Sequence, residues 1–153
     1  MISFSEIKFF HESGKAEVFL PEQLEIIPIL VNNEFCIKGE TLLRRFNNVR
    51  LGILQAEYLV EKQDRIPAGW QEYHFPFPGT IYRHKRFRSL WIPYLIFSGY
   101  DKEWIVNFHC LNYYFNAEDV LLVEKRQITR LIGISMNSDK PFLFSNKISY
   151  FMI

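Results

Sequence analysis

The stretch that decides the fold is Leu90–Cys110, LWIPYLIFSGYDKEWIVNFHC. Two apolar segments, Leu90–Phe97 and Trp104–Cys110, flank the tetrapeptide SGYD. Segments rich in β-branched and aromatic residues on either side of a short turn are typical of a β-hairpin. Gly99 can adopt the positive φ that such a turn often requires. The sequence therefore predicts two adjacent antiparallel strands here.

Short apolar segments before residue 40 predict further strands. Gly14, Pro21 and Pro28 punctuate them, and Pro28 would have to lie at an edge or a bulge because proline cannot donate a backbone hydrogen bond. Asn32 and Asn33 predict a hairpin turn between Ile26–Val31 and Phe35–Lys38, since asparagine tolerates positive φ. The segments are Ile7–Phe10 (preceded by Ile2 and Phe4), Ala16–Leu20, Ile26–Val31 and Phe35–Lys38.

After residue 39 the apolar residues take the spacing of a helix. Six of them recur at steps of three and four, which places them on one helix face: Leu42, Phe46, Val49, Ile53, Ala56 and Val60. The sequence predicts one main helix near residues 40–62, or two abutting helices, because Asn47, Asn48 and Gly52 weaken its middle. The competing interpretation is a short helix followed by a strand over residues 51–61.

The strand pattern resumes towards the end of the chain, in four further apolar segments: Val120–Glu124, Ile128–Ile134, Phe142–Phe144 and Ile148–Ile153. Short strands with one inserted helical region predict an α+β fold dominated by a mostly antiparallel sheet, and whether that sheet closes into a barrel is left open. At 153 residues, the chain is long enough to bury a core without disulfides. We expect a single globular domain over residues 1–153.

Targeting signals and cysteines give simple expectations. The N-terminus has no cationic start leading into an apolar block, so a secretory signal is not predicted. No segment approaches the ~18 consecutive apolar residues of a membrane span, and we expect a cytoplasmic protein that does not contact the membrane. Cys36 and Cys110 lie far apart without a metal-binding spacing, and we expect two buried free thiols.

The segment from Pro67 to Tyr94 crowds aromatic rings and cations together. Its prolines and glycines as far as Gly79 predict irregular, partly exposed backbone without a helix, whereas Trp91 is expected in the core once the chain enters the sheet. Protein interfaces are enriched in Trp, Tyr, Phe and Arg. The candidate binding residues here are Trp70, Tyr73, His74, Phe75, Phe77, Tyr82, Arg83, His84, Lys85, Arg86 and Arg88.

Charge is unevenly distributed although the formal net charge is only +1. Residues 1–40 hold seven acidic against three basic residues, and residues 81–130 hold eight basic against five acidic ones. The two regions either neutralise each other within the fold, which we favour, or form separate faces. In the second case a cationic partner would meet the exposed acids Glu12, Glu17, Glu22 and Glu25.

Catalytic and metal-binding motifs are missing from the sequence. It contains no GxSxG, CxxC or HExxH spacing and no phosphate-loop or dinucleotide fingerprint. His109 and Cys110 are adjacent on a predicted strand and point to opposite faces. No catalytic residue, metal ligand or cofactor is predicted, and the balance is against an enzyme. The least favoured alternative is a metal-independent nuclease that uses His74 and His84.

The sequence therefore predicts a non-catalytic protein-binding module. Small chains with many aromatic residues, uneven charge and no catalytic motif are typical of inhibitors, including immunity proteins that neutralise a cognate toxin domain. This hypothesis depends on the class of protein and on no particular residue. The alternative is an RNA- or single-stranded nucleic-acid-binding protein, because aromatic rings stack on bases and cations contact phosphates. The pI near 7.8 is low for such a domain. The oligomeric state is not predicted.

Overall fold

The computed structural model describes residues 2–48 and 50–126. Within these residues, two α-helices and nine β-strands form an α+β fold with mostly antiparallel pairing, as predicted. The helices are α1 (Gly39–Arg45) and α2 (Ile53–Glu61), and the strands are β1 (Ile7–Glu12), β2 (Leu24–Pro28), β3 (Cys36–Lys38), β4 (Phe75–Pro76), β5 (Thr80–His84), β6 (Leu90–Ser98), β7 (Glu103–Cys110), β8 (Tyr114–Asn116) and β9 (Val120–Glu124).

The main sheet has five strands and is built on the predicted hairpin. Strands β6 and β7 pair antiparallel, with Phe97 opposite Trp104, and β6 also pairs with β5 and β4, while β1 pairs with β5. Within the described residues this sheet stays open. The expected positive φ at Gly99 is wrong, because Lys102 adopts it instead, at 59°.

The helical region consists of two short helices, so the two-helix form of the prediction is confirmed and the strand over residues 51–61 is wrong. Gly52 is the N-cap residue before α2, and its N–H donates to Gln55 Oε1 at 2.7 Å. The Ile53 N–H donates to Thr80 Oγ1 at 2.8 Å. These side-chain acceptors satisfy N–H groups that have no partner inside the helix. The break therefore ties α2 to β5.

Two predictions for the first 40 residues are wrong. The segment Ala16–Leu20 forms no strand. The Gln55 side chain bonds to the backbone just before it, where Nε2 donates to the Lys15 carbonyl at 2.6 Å. Strands β2 and β3 do not pair with each other, because β2 pairs with β9 and β3 with β8. The turn between them has the predicted conformation, with φ of 66° at Asn33. Pro28 ends β2, as its missing donor requires.

The buried side chains fall into three clusters. One packs α1 against β2, β8 and β9 around Phe46 and Phe115, and the second packs α2 against the main sheet around Phe75 and Trp104. The third is small and joins Ile7, Tyr82 and Phe108 beneath β1. Burial of such a side chain contributes about 2–3 kcal/mol. Ile7 is the buried residue of β1, and the other residues of this strand are exposed.

Three further predictions concern the C-terminal strands, the two cysteines and a membrane span. Strand β9 confirms the predicted segment Val120–Glu124, whereas Ile128–Ile134, Phe142–Phe144 and Ile148–Ile153 lie outside the described residues. Cys110 is buried as expected, but Cys36 is exposed, because it lies on a face of β3 directed away from the core. In the part of the chain that the structure describes, no helix is long and apolar enough to cross a membrane.

Candidate functional site

The turn between β5 and β6, residues 84–89, is organised by His84. Its backbone N–H donates to the Ser89 carbonyl at 2.8 Å, and its Nδ1 accepts hydrogen bonds from the N–H groups of Arg86 and Phe87, each at 3.1 Å. An imidazole that accepts at Nδ1 carries its hydrogen on Nε2. Arg88 adopts a positive φ of 61° and closes the turn. His84 thus fixes the backbone from which the neighbouring side chains project.

Three cations and one phenyl ring are exposed at this turn. The cations are those of Lys85, Arg86 and Arg88, and Phe87 is 69% exposed. The guanidinium of Arg86 lies 5.3 Å from the centre of the Phe87 ring. Lys85 Nζ donates to the Ser5 carbonyl at 2.6 Å. The turn therefore combines positive charge with apolar surface.

Strand β1 continues this surface. It is an edge strand of the main sheet, and Phe9 and Phe10 on it are 61% and 44% exposed. The Arg83 guanidinium lies 4.0 Å over the Phe10 ring, a cation–π contact. The Lys85 N–H donates to the carbonyl of Glu6, the residue before β1, at 2.9 Å and joins this segment to the turn. We call this region the edge surface; it comprises Phe9, Phe10, Arg83, Lys85, Arg86, Phe87 and Arg88.

A cleft of about 410 Å³ lies beside the turn. Aromatic rings and polar groups line it together: Glu6, His84, Phe87, Trp91, Asn112 and Tyr113. Trp91 is half-buried, and its Nε1–H donates to Ser89 Oγ at 2.9 Å. Trp91 is therefore partly core, as expected, and partly cleft wall.

The first half of the predicted aromatic loop is not a surface of displayed rings. Phe75 and Phe77 are 0% and 1% exposed, so the expectation that they are accessible is wrong. Trp70 and Tyr73 are half-buried and pack against Phe75, with ring centres 5.4 and 6.3 Å away. Residues Ala68–Glu72 form a 3₁₀-helix, which the prolines were expected to prevent. Three-residue turns satisfy this backbone without a longer helix.

Tyr82 is also a core residue rather than an exposed one. Its ring contacts Phe108 and Phe4, with ring centres 5.3 and 5.7 Å away. Burial, together with the nearby charges of Glu57 and Glu12, raises the pKa of Tyr82 to about 12. Its hydroxyl therefore stays neutral at ordinary pH, and Tyr82 holds β5 beneath the N-terminal segment.

His74 lies in a different polar cluster from His84. Its Nδ1 is 3.5 Å from Asp119 Oδ1, and Asp119 accepts a hydrogen bond from the Asn116 N–H at 2.8 Å. Burial raises the pKa of Asp119, against the lowering effect of the Asn116 bond and of His74. The Tyr94 ring centre lies 6.3 Å from that of His74, and burial, then the charge of Asp119, raises the pKa of Tyr94.

The two histidines named for the nuclease hypothesis thus have no partner in common among the contacts described above. His84 lines the cleft, and His74 pairs with Asp119 outside it. In the described part of the chain, no group of three or more His, Cys, Asp or Glu side chains could hold a metal ion.

The four acidic candidates are separate from one another, and three have partners within the fold. Glu22 pairs with Arg65, Glu17 lies 3.5 Å from Arg126, and Glu12 accepts hydrogen bonds from Thr80 and from the Gly14 N–H at 3.0 Å. Glu25 is exposed on β2. Glu124 of the basic half also pairs with Lys15, at 2.9 Å. Of these contacts, that of Glu17 with Arg126 joins an acidic residue of the first 40 to a basic residue of the range 81–130, so the neutralisation of one region by the other stays a prediction.

Sequence reasoning missed several residues of the edge surface and the cleft. Phe9, Phe10 and Phe87 were not singled out, nor were Glu6, Asn112 and Tyr113. The doublet Phe9–Phe10 was a usable signal, because consecutive aromatic residues on one strand cannot both face the same core. The cleft residues come from distant segments, and no local spacing joins them.

Comparison with known proteins adds no relative. No protein-family model matches the chain, and neither the curated proteins nor the solved structures contain a match.

Proposed function

We propose that this chain is a binding protein that holds another protein on its edge surface. One observation carries the proposal: Phe9 and Phe10 on β1 and Phe87 at the turn after its partner strand β5 are exposed, and cations lie over the Phe10 and Phe87 rings. Clustered exposed aromatic side chains mark interaction sites, and interface cores are enriched in aromatic residues and arginine. The turn is held by His84, so these groups lose little freedom on docking.

Strand β1 also supports the proposal through its backbone. It pairs with β5 on one side, and the described residues place no strand on its other side. Unpaired N–H and C=O groups along such an edge can accept an added strand. Phe9 and Phe10 are both exposed where the register of β1 shifts between Phe9 and His11, so an added strand would meet aromatic side chains at this bulge.

The charge of the edge surface indicates the chemistry of the partner. Lys85, Arg86 and Arg88 are exposed together at the turn, and Arg83 lies beside them. Cations at an interface steer an oppositely charged partner and select against cationic ones. We therefore propose a partner with an extended segment that carries acidic and apolar residues.

The narrower hypothesis from the sequence is an inhibitor that neutralises a toxin. It depends on the class of small aromatic-rich chains and on no contact of the edge surface. A toxin encoded beside this chain is the first partner to purify and test.

The proposal is tested with a double variant of the edge surface, Phe9→Ala with Phe87→Ala. Truncation of two exposed anchors should lower recovery of the partner in a pull-down by at least about tenfold, while the melting temperature stays near that of the parent. The matched control is Phe35→Ala, since Phe35 is 91% exposed but lies away from the edge surface on the stretch before β3.

Equal recovery by the parent and the double variant would contradict the proposal. So would recovery by the parent, but not by Phe9→Ala, of a partner that nuclease treatment destroys, because that outcome assigns the edge surface to nucleic acid, the alternative from the sequence.

A further inference from the structure

The cleft beside the turn has three aromatic walls. Phe87, Trp91 and Tyr113 line it; the Phe87 ring packs on His84, with ring centres 4.7 Å apart, and the Tyr113 ring lies edge-on to His109 at 6.3 Å. The hydrogen bond from Trp91 Nε1–H to Ser89 Oγ, 2.9 Å long, sets the orientation of the indole. Rings that face an open space can stack on a planar ligand, at about 1–3 kcal/mol for each nucleobase. A volume of about 410 Å³ is within the usual range for small-molecule sites.

Polar groups of defined hydrogen-bonding character accompany these rings. Glu6 Oε2 accepts the Ser3 N–H at 2.8 Å, and the hydrogen bonds from Ser3 lower the pKa of Glu6, so the carboxylate is ionised. His84 uses Nδ1 as an acceptor inside the turn and therefore has an Nε2–H donor to offer. Asn112 adds an amide that can donate or accept.

The charges around the cleft distinguish a cationic ligand from a planar ligand that carries a phosphate. Aromatic rings with a carboxylate could hold a quaternary ammonium group. However, Lys85, Arg86 and Arg88 flank Phe87 in the chain and are exposed, so they repel a cation and attract an anion. A ligand with a planar, hydrogen-bonding ring and a phosphate satisfies both halves of the site.

The hydrogen-bonding pattern further selects the base. Guanine presents two adjacent N–H donors on its Watson–Crick edge, beside a carbonyl acceptor, and nucleobases are read along that edge. A carboxylate accepts two N–H groups side by side, and the carbonyl can receive a hydrogen bond from His84 or Asn112. Adenine presents a ring nitrogen acceptor where guanine has N–H, and a carboxylate repels it. Glu6 therefore favours guanine.

We propose that this cleft binds a guanine nucleotide unit, with the base between the aromatic walls on Glu6 and the phosphate near the cations of the turn. The unit is supplied either as a free nucleotide or as part of an RNA strand. The proposal goes beyond protein binding at the edge surface. The two sites share Phe87 and the turn, so the test changes Glu6, which only the cleft contains.

Calorimetric titration of the full chain with GMP, AMP and inorganic phosphate tests the proposal. We expect GMP to bind at least about tenfold more tightly than AMP, because guanine gains a hydrogen bond to Glu6 where the ring nitrogen of adenine is repelled by the carboxylate. Glu6→Gln should bring the two affinities together, because the amide keeps an acceptor for the Ser3 N–H but no longer accepts two N–H groups. The control is Glu25→Gln, an exposed carboxylate on β2 outside the cleft.

Four results would overturn the proposal: no binding of GMP at about 1 mM, equal affinities for GMP and AMP, binding of inorganic phosphate as tightly as GMP, or an unchanged preference in Glu6→Gln. A melting curve of Glu6→Gln shows that lost preference is not lost folding. A short oligoribonucleotide with one guanine separates the two sources: tighter binding than GMP indicates an RNA strand, and equal binding indicates a free nucleotide.

Discussion

At the scale of single residues, position in the fold changed the meaning of several side chains that looked alike in the sequence. Phe75 and Phe77 are core residues, whereas Phe87, ten positions later, is 69% exposed. His84 holds a turn through its Nδ1, whereas His74 faces a buried carboxylate. Residue type alone predicted a recognition segment, but burial decided which members of it can touch a partner.

The buried carboxylate of Asp119 gives a prediction on pH dependence. Its pKa in the folded chain is raised above 3.8, chiefly by burial, so the folded state holds this proton more tightly than the unfolded state does. The contribution of Asp119 to stability is therefore largest at low pH and falls as pH rises through the raised pKa.

Asp119→Asn keeps an oxygen for the Asn116 N–H and removes the charge. We expect thermal melts to show a higher melting temperature for the variant than for the parent at pH 7, and a smaller difference near pH 4. A variant that is less stable than the parent at pH 7 would show that the ionised carboxylate stabilises the fold through His74.

At the scale of secondary-structure elements, local patterns predicted elements well and their partners poorly. The hairpin of β6 and β7 was predicted because both strands and their turn are adjacent in the chain. Pairings of β2 with β9 and of β3 with β8 join segments that are far apart, and period-two alternation does not specify a partner. The helical periodicity continued across Gly52, yet side-chain acceptors from Gln55 and Thr80 begin a new helix there.

Gly52 supports a prediction about this break between the helices. A Cβ at Gly52 would collide with Thr80 Oγ1, the acceptor for the Ile53 N–H. Gly52→Ala should lower the free energy of unfolding by about 1–3 kcal/mol, as overpacking does, measured by urea denaturation. Gly69→Ala is the matched control, because a Cβ at Gly69 meets nothing within 4 Å. The free energy of unfolding of this variant should be nearly that of the parent. Equal loss in both variants would contradict the close approach at Gly52.

At the scale of the whole molecule, the described charges pair across the fold while the edge surface keeps its cations. Glu34 pairs with Arg45, Glu22 with Arg65 and Lys15 with Glu124. The cations of residues 85–88 could be predicted as a surface group from the sequence. That Phe9 and Phe10 lie on the same surface could not be predicted, since only the pairing of β1 with β5 brings them near the turn.

The most direct measurement of the central claim is hydrogen exchange of the chain with and without the protein recovered in the pull-down. If the partner adds to the edge surface, amide exchange in β1 and in residues 84–89 should slow by at least about tenfold on binding, while residues 99–102 at the opposite turn keep their rates. Protection confined to other segments, with unchanged exchange in β1 and residues 84–89, would contradict the account.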